Sequence, residues 1–209
     1  MREDNRLKTI VFANGKGGVG KSTLAALLVE YLSDQEIAVD LTDADPNQTT
    51  QTWLHYCREE GRRLTGESPQ VTVVDTSGTS GAALNWIRKA DLVVCPIKGN
   101  FADLDLVATW FDSLHPKIQQ KFVFIPNMLG RANEQKRGVE DLQELVSQAG
   151  CGVVLDDCGL KNRDAIYPDL LKGSATNFFR QGARWRAAKK EAARLCSRLV
   201  DLMEVEVQA

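Results

Sequence analysis

Gly15-Lys16-Gly17-Gly18-Val19-Gly20-Lys21-Ser22-Thr23 is the stretch that decides the fold of this chain. A β-branched run, Thr9-Ile10-Val11-Phe12-Ala13, leads into it, and Leu24-Ala25-Ala26-Leu27-Leu28 leads out at helical spacing. The pattern is G-x-x-x-x-G-K-[ST] in a strand–loop–helix setting. Glycines let successive backbone N–H groups turn inward around phosphate oxygens, and the helix N-terminus adds partial positive charge. All nine residues from Gly15 to Thr23 are therefore candidate nucleotide contacts. Lys21 is placed to reach the β- and γ-phosphates, and the Ser22 hydroxyl to ligate Mg²⁺. Lys16 supplies a second cation beside a triphosphate whose charge one lysine does not offset.

Outward from this loop, short apolar runs alternate with helix-length segments. Thr9–Ala13, Ala38–Thr42, Val71–Val74, Leu92–Ile97, Phe122–Pro126 and, more weakly, Gly152–Leu155 read as strands. Ser22–Ser33, Thr49–Glu60, Gly81–Lys89, Leu104–Leu114 and Gly138–Gln148 read as amphipathic helices. Near-continuous apolar strands separated by helices imply a parallel sheet covered on both faces. The expected class is α/β, a doubly wound sheet in one domain over residues 1–209.

Two aspartate motifs stand where ligands bind such sheets, just past the C-terminal ends of strands. In Thr42-Asp43-Ala44-Asp45-Pro46-Asn47-Gln48, carboxylates can hold the water shell of Mg²⁺ or orient an attacking water. A plain Asx-type turn closed by Pro46 is the competing reading. Val71-Thr72-Val73-Val74-Asp75 is an apolar strand ending in one acid, which would hold Mg²⁺ through water opposite Ser22. The loop Thr76-Ser77-Gly78-Thr79-Ser80-Gly81 follows, rich in hydrogen-bonding side chains and placed to sense a γ-phosphate.

The chain has 209 residues, 43% apolar and 26% charged, which excludes a disordered or fibrous protein. No apolar run approaches the roughly 18 residues that span a bilayer, and the charged start carries no signal peptide. Five cysteines, without a Cys-x-x-Cys pair, argue for a reducing cytoplasm over a disulfide framework or zinc ribbon. Charge is uneven. Residues 161–198 hold ten basic and three acidic side chains within a chain of formal charge -2. A helix expected over 182–203 sets Trp185, Ala188, Ala192, Leu195, Leu199 and Leu202 on one face. Arg186, Lys190, Arg194 and Arg198 recur every four residues as a separate stripe, joined by Arg180, Arg184 and Lys189. Such a stripe suits salt-sensitive, sequence-independent contact with a polyanion, or is simply a solvated face.

With Lys16 directly after Gly15, the loop resembles the deviant Walker A motif of the ParA/MinD superfamily of P-loop ATPases. The Asp43–Gln48 segment is similar to the family's D-x-D-P-Q, and Ala90–Ile97 resembles the family's strand that ends in a proline. The resemblance runs from about Thr9 to Phe179. It implies ATP and Mg²⁺, an ATP-dependent homodimer into which Lys16 reaches across, Asp45 positioning the hydrolytic water, and Asp43 supporting the metal side. Lys16, Lys21 and Asp45 are then the catalytic candidates, and Asn127 is similar to the family's adenine-side asparagine, although a turn-forming Asn explains it equally. Small members bind DNA non-specifically through basic residues near this end, here including Lys161, Arg163 and Lys172. They position a plasmid, chromosome region or protein assembly such as a carboxysome on the nucleoid, and a cargo adaptor stimulates hydrolysis. The acidic ending Asp201 to Ala209 disfavours the membrane helix of MinD-type relatives. With eight residues before the first strand, no operator-reading extension is expected. The alternatives are a metal-cluster or metalloenzyme maturation ATPase, with Cys151 and Cys158 too sparse for a cluster, or a nucleotide-gated DNA-binding module with negligible hydrolysis. Cys95 is expected to be a small buried apolar residue.

Overall fold

The computed structural model describes residues 6–77, 81–98, 101–130, 132–172, 177–180 and 182–205. Its strands are β1 (Lys8–Phe12), β2 (Val39–Ala44), β3 (Val71–Thr76), β4 (Leu92–Lys98), β5 (Phe122–Asn127) and β6 (Val153–Val154). They form one parallel sheet in the order β2-β3-β1-β4-β5-β6. The helices are α1 (Lys21–Asp34), α2 (Thr49–Glu59), α3 (Gly81–Lys89), α4 (Phe101–Asp112), α5 (Pro116–Gln119), α6 (Ala132–Ala149), α7 (Tyr167–Leu170) and α8 (Arg186–Met203).

Successive strand residues point to opposite faces, so each strand feeds two cores. Ile10, Phe12, Val73, Val94 and Ile125 pack toward α1 and α8, while Val11, Val74, Val93, Cys95 and Phe124 pack toward α3, α4 and α6. Cys95 is fully buried, as expected. Asp40 and Thr42 are half-buried because β2 is an edge strand.

Helix boundaries depart from expectation where no apolar pattern marked them. α6 begins at Ala132 instead of Gly138, because Ala-Asn-Glu-Gln-Lys-Arg propagates a helix without presenting an apolar face. α4 starts at Phe101 and stops at Asp112. α8 starts at Arg186, after a short 3₁₀ turn over Ala183–Trp185 that includes Arg184. Cys196, Val200 and Met203 widen its buried face beyond the expected residues. α8 lies against α1, and a buried polar junction braces the same side. There Glu30 accepts hydrogen bonds from the Arg62 guanidinium at 3.0 Å and from the Phe178 backbone N–H. Burial pushes the Glu30 carboxyl above its ordinary range, and Arg62 opposes the shift.

Register delivers the site. Phe12 pairs with Asp75 and Asp75 pairs with Asp43, so the glycine-rich loop and both aspartate motifs leave the sheet at one level.

Candidate nucleotide site

The loop is held from below by a residue that the motif does not contain. Asn14 is buried; its Nδ2 donates to the Pro96 carbonyl at 2.7 Å, and its Oδ1 accepts the Lys16 N–H at 2.7 Å. That amide ties the loop to β4 and sets the backbone from which the Lys16 side chain leaves. A single Asn before a glycine run carries no recognisable signal, which is why sequence reasoning missed it. Gly18 and Gly20 take positive φ of +70° and +99°, the left-handed region that favours glycine. Gly20 caps α1, and no side chain caps the helix, so its N-terminus faces the loop's interior.

Lys21 is buried, and its Nζ donates to the Lys16 carbonyl at 3.2 Å. Burial lowers its pKa, while Asp75, Asp45 and Cys95 pull it back up. Asp75 is fully buried, and neither carboxylate oxygen meets a hydrogen-bond partner of normal geometry. Burial pushes its carboxyl up to about 7; the nearby Ser22 hydroxyl favours the charged form, Asp43 opposes it, Lys21 helps and Asp45 opposes. A buried carboxylate with unsatisfied oxygens near a hydroxyl is an oxygen donor pair suited to a hydrated hard cation. The residues present therefore fit Mg²⁺, with Ser22 and Asp75 as the groups that would hold it. Thr76 fixes the strand end by donating its hydroxyl to the Phe12 carbonyl at 2.8 Å.

Asp43 is already engaged by the protein. Its Oδ2 accepts from the Thr50 N–H (2.9 Å), the Thr50 hydroxyl (2.8 Å) and the Gln51 N–H (3.0 Å), and its Oδ1 accepts from the Asp45 N–H at 3.0 Å. This carboxylate caps α2 and shapes the turn, a positioning task distinct from the metal-side role expected of it. Asp45 accepts the Asn47 N–H at 2.9 Å through one oxygen. This Asx turn leaves Asp45 half-buried and close enough to Lys21 and Asp75 to act on both electrostatically.

Asn127 has a specific attachment. Its Nδ2 donates to the Val19 carbonyl at 2.7 Å, and a Cβ at Gly20 would collide with that amide. Asn127 is buried and grips the loop, a role closer to a clamp than to a plain turn. Gly78, Thr79 and Ser80 of the expected γ-phosphate loop lie outside the described residues.

The basic side chains expected to meet DNA divide into two sets. Arg163 pairs with Glu191 at 2.6 Å, Arg180 with Asp34 at 3.0 Å, Lys172 with Asp169 at 3.3 Å, and Arg194 with Asp157. Lys161, Arg186, Lys190 and Arg198 are exposed and form no salt bridge among the described residues; Lys189 is half-buried. No helix of the described residues is long and apolar enough to cross a membrane.

Known proteins match both the sequence and this arrangement. A family model described as the CobQ/CobB/MinD/ParA nucleotide binding domain matches residues 10–165. The chain is 27% identical over 143 residues to Protein ParA of Rhizobium radiobacter, covering 56% of this chain and 64% of that one. A shorter stretch of 42 residues is 50% identical to the iron-sulfur cluster carrier protein of Rickettsia felis, covering 20% of this chain and 13% of the carrier. The match thus spans less than two thirds of either curated relative. The solved structure of pNOB8 ParA superposes with a TM-score of 0.72 at 12% identity, over 95% of this chain and 99% of that one. At that identity the likeness speaks for the fold, and the family match speaks for descent: this chain belongs to the CobQ/CobB/MinD/ParA nucleotide-binding family.

Proposed function

We propose that the chain is a ParA-type ATPase that forms a dimer around ATP, binds DNA without sequence preference and positions a cargo. The observation that carries this reading is Asp75, a fully buried carboxylate with no hydrogen bond of normal geometry, near the Ser22 hydroxyl and the Lys21 ammonium. Nothing in the fold requires such a group, whereas a nucleotide-bound cation gives it a use.

In this reading the loop N–H groups and Lys21 bind the phosphates, and Lys21 turns from the Lys16 carbonyl to do so. Mg²⁺, when bound, neutralises developing charge on the β- and γ-oxygens. Asp45 holds the attacking water, and Asp43 keeps Asp45 in place through the turn. Lys16, anchored by Asn14, reaches toward the phosphates of a second subunit. ATP then shifts a monomer–dimer balance because it contacts the dimer at more points. The exposed cations Lys161, Arg186, Lys190 and Arg198 contribute counterion release on DNA. Such a protein would work in the cytoplasm, on the nucleoid, with an adaptor that speeds hydrolysis.

A maturation ATPase for metal clusters is the second reading, favoured by the 42-residue match to the cluster carrier. Cys158 is buried and burial pushes its thiol up to about 11, which disfavours the thiolate a metal needs.

Fluorescence anisotropy on a random-sequence duplex, with Mg²⁺ and ATP, ADP or no nucleotide across a salt series, tests the proposal. Binding with ATP alone, weakened steeply by salt and lost in Lys16→Ala and Lys21→Ala, supports it. Binding indifferent to nucleotide overturns the ATP-gated cycle, and absence of binding moves the weight to the maturation reading.

A further inference from the structure

We infer that a trough between α4 and α6 docks a basic amphipathic helix of a partner protein. It lies on the face of the sheet opposite α1 and α8 and is independent of the nucleotide reading. Leu104, Ala108 and Asp112 follow one another every four residues along α4, and Asp141, Leu145 and Ala149 do the same along α6. Each row covers two helical turns, about 12 Å. Where larger side chains would fill the gap, Ala108 and Ala149 leave an open trough of about 470 Å³.

Its chemistry selects the occupant. The floor is apolar, formed by Leu104, Ala108, Leu145 and Ala149. The banks carry four exposed carboxylates, Asp105 and Asp112 on one side and Asp141 and Glu144 on the other, and among the described residues no lysine or arginine lines it. Glu144 accepts a hydrogen bond from Gln148 at 3.1 Å, which fixes that bank. Nucleic acid and anionic lipid are repelled by such banks. The bank carboxylates are not gathered into a group of three that could hold a bare metal ion. What fits is a helix with small aliphatic teeth on one face, flanked by Lys or Arg at the spacing of the banks. The α8 helix of a second copy offers the cations without the teeth, because its aliphatic face is buried in its own core. A separate partner is therefore the occupant.

The test uses the full chain without nucleotide, so its result is separate from that of the DNA experiment. The probe is a fluorescein-labelled peptide of about twelve residues, lysine and leucine only, with the leucines on one helical face. The control has the same composition with the leucines scattered. The patterned peptide is expected to bind at least about tenfold more tightly than the control. Ala108→Leu, which fills the floor and leaves every charge in place, weakens it about tenfold; Asp141→Asn with Glu144→Gln weakens it and flattens its salt dependence. Ala149→Leu replaces Ala108→Leu if thermal melting shows that variant to be unfolded. Equal binding of both peptides, or indifference to the floor variants, overturns the proposal. So does a patterned peptide that fails to bind while Ala108→Leu lowers the protein's own sedimenting mass, which assigns the trough to a second copy.

Discussion

The Asn127 side-chain amide lies 2.7 Å from the Val19 carbonyl, joining the end of β5 to a loop 108 positions earlier in the chain. The bond closes over Gly20, whose missing Cβ makes room for the amide. Asn127→Ala leaves the fold intact and loosens the loop, and nucleotide binding should weaken about tenfold, the value of one buried hydrogen bond. Gly20→Ala should be worse, because it adds the collision to a φ of +99°. Titration with a fluorescent ATP analogue checks both, and unchanged affinity in Asn127→Ala would show that the clamp is dispensable.

Asp75 makes the metal-free protein sensitive to pH. Its folded carboxyl sits at about 7, while an unfolded aspartate titrates near 4. Across that window the folded chain holds a proton that the unfolded chain has released, so stability falls as pH rises from about 4 to about 7 and then levels. Asp75→Asn should abolish that slope and be more stable than the parent at pH 8 in EDTA, by at most roughly 4 kcal/mol. It should also lose the stabilisation that Mg²⁺ with nucleotide gives the parent. Melting curves over pH 5 to 8 decide; parallel profiles for the two proteins would contradict the assignment.

The two loop lysines should separate by assay. Lys21 lies beside Asp75 within the same subunit's loop, so Lys21→Ala should reduce nucleotide affinity at least about tenfold. Lys16→Ala should leave affinity within a few fold and remove the ATP-dependent increase in mass, read by light scattering after gel filtration. If Lys16→Ala still dimerises with ATP, its proposed reach across the interface is wrong.

On the basic surface, side chains without an ion pair should govern DNA contact. Arg186→Ala, Lys190→Ala and Arg198→Ala should each lower the salt slope of binding by about one. Arg163→Ala should barely change the slope and should instead cost about 1 kcal/mol of stability, since it strips Glu191 of its partner. The reverse ranking would mean that DNA breaks these pairs on binding.

Class, strand positions and loop were readable because each rests on local pattern: apolar runs, glycine spacing and a strand-ending acid. What escaped were long-range attachments. Nothing near Asn14 announces a bond to Pro96, and nothing near Asp43 announces that Thr50 and Gln51 consume one of its oxygens. Both arise from register and crossover, which bring distant segments to one edge of the sheet. The division of the basic residues was equally hidden, because Arg163 and Arg194 meet their acids only after α8 docks. The helix start at Ala132 was missed for a local reason, its first turn lacking apolar contrast.

The sheet keeps α8, with its exposed arginines and lysines, on one side and the carboxylate-banked helices α4 and α6 on the other. That separation sets a run of exposed cations and a run of exposed carboxylates on opposite faces of the sheet. In the proposed DNA-binding reading, the field of a polyanion would turn the α8 face toward it before contact forms. The opposite face is then left pointing into solvent, where a cationic visitor can reach it without competing for the same surface. Orientation, in such an arrangement, is settled during approach.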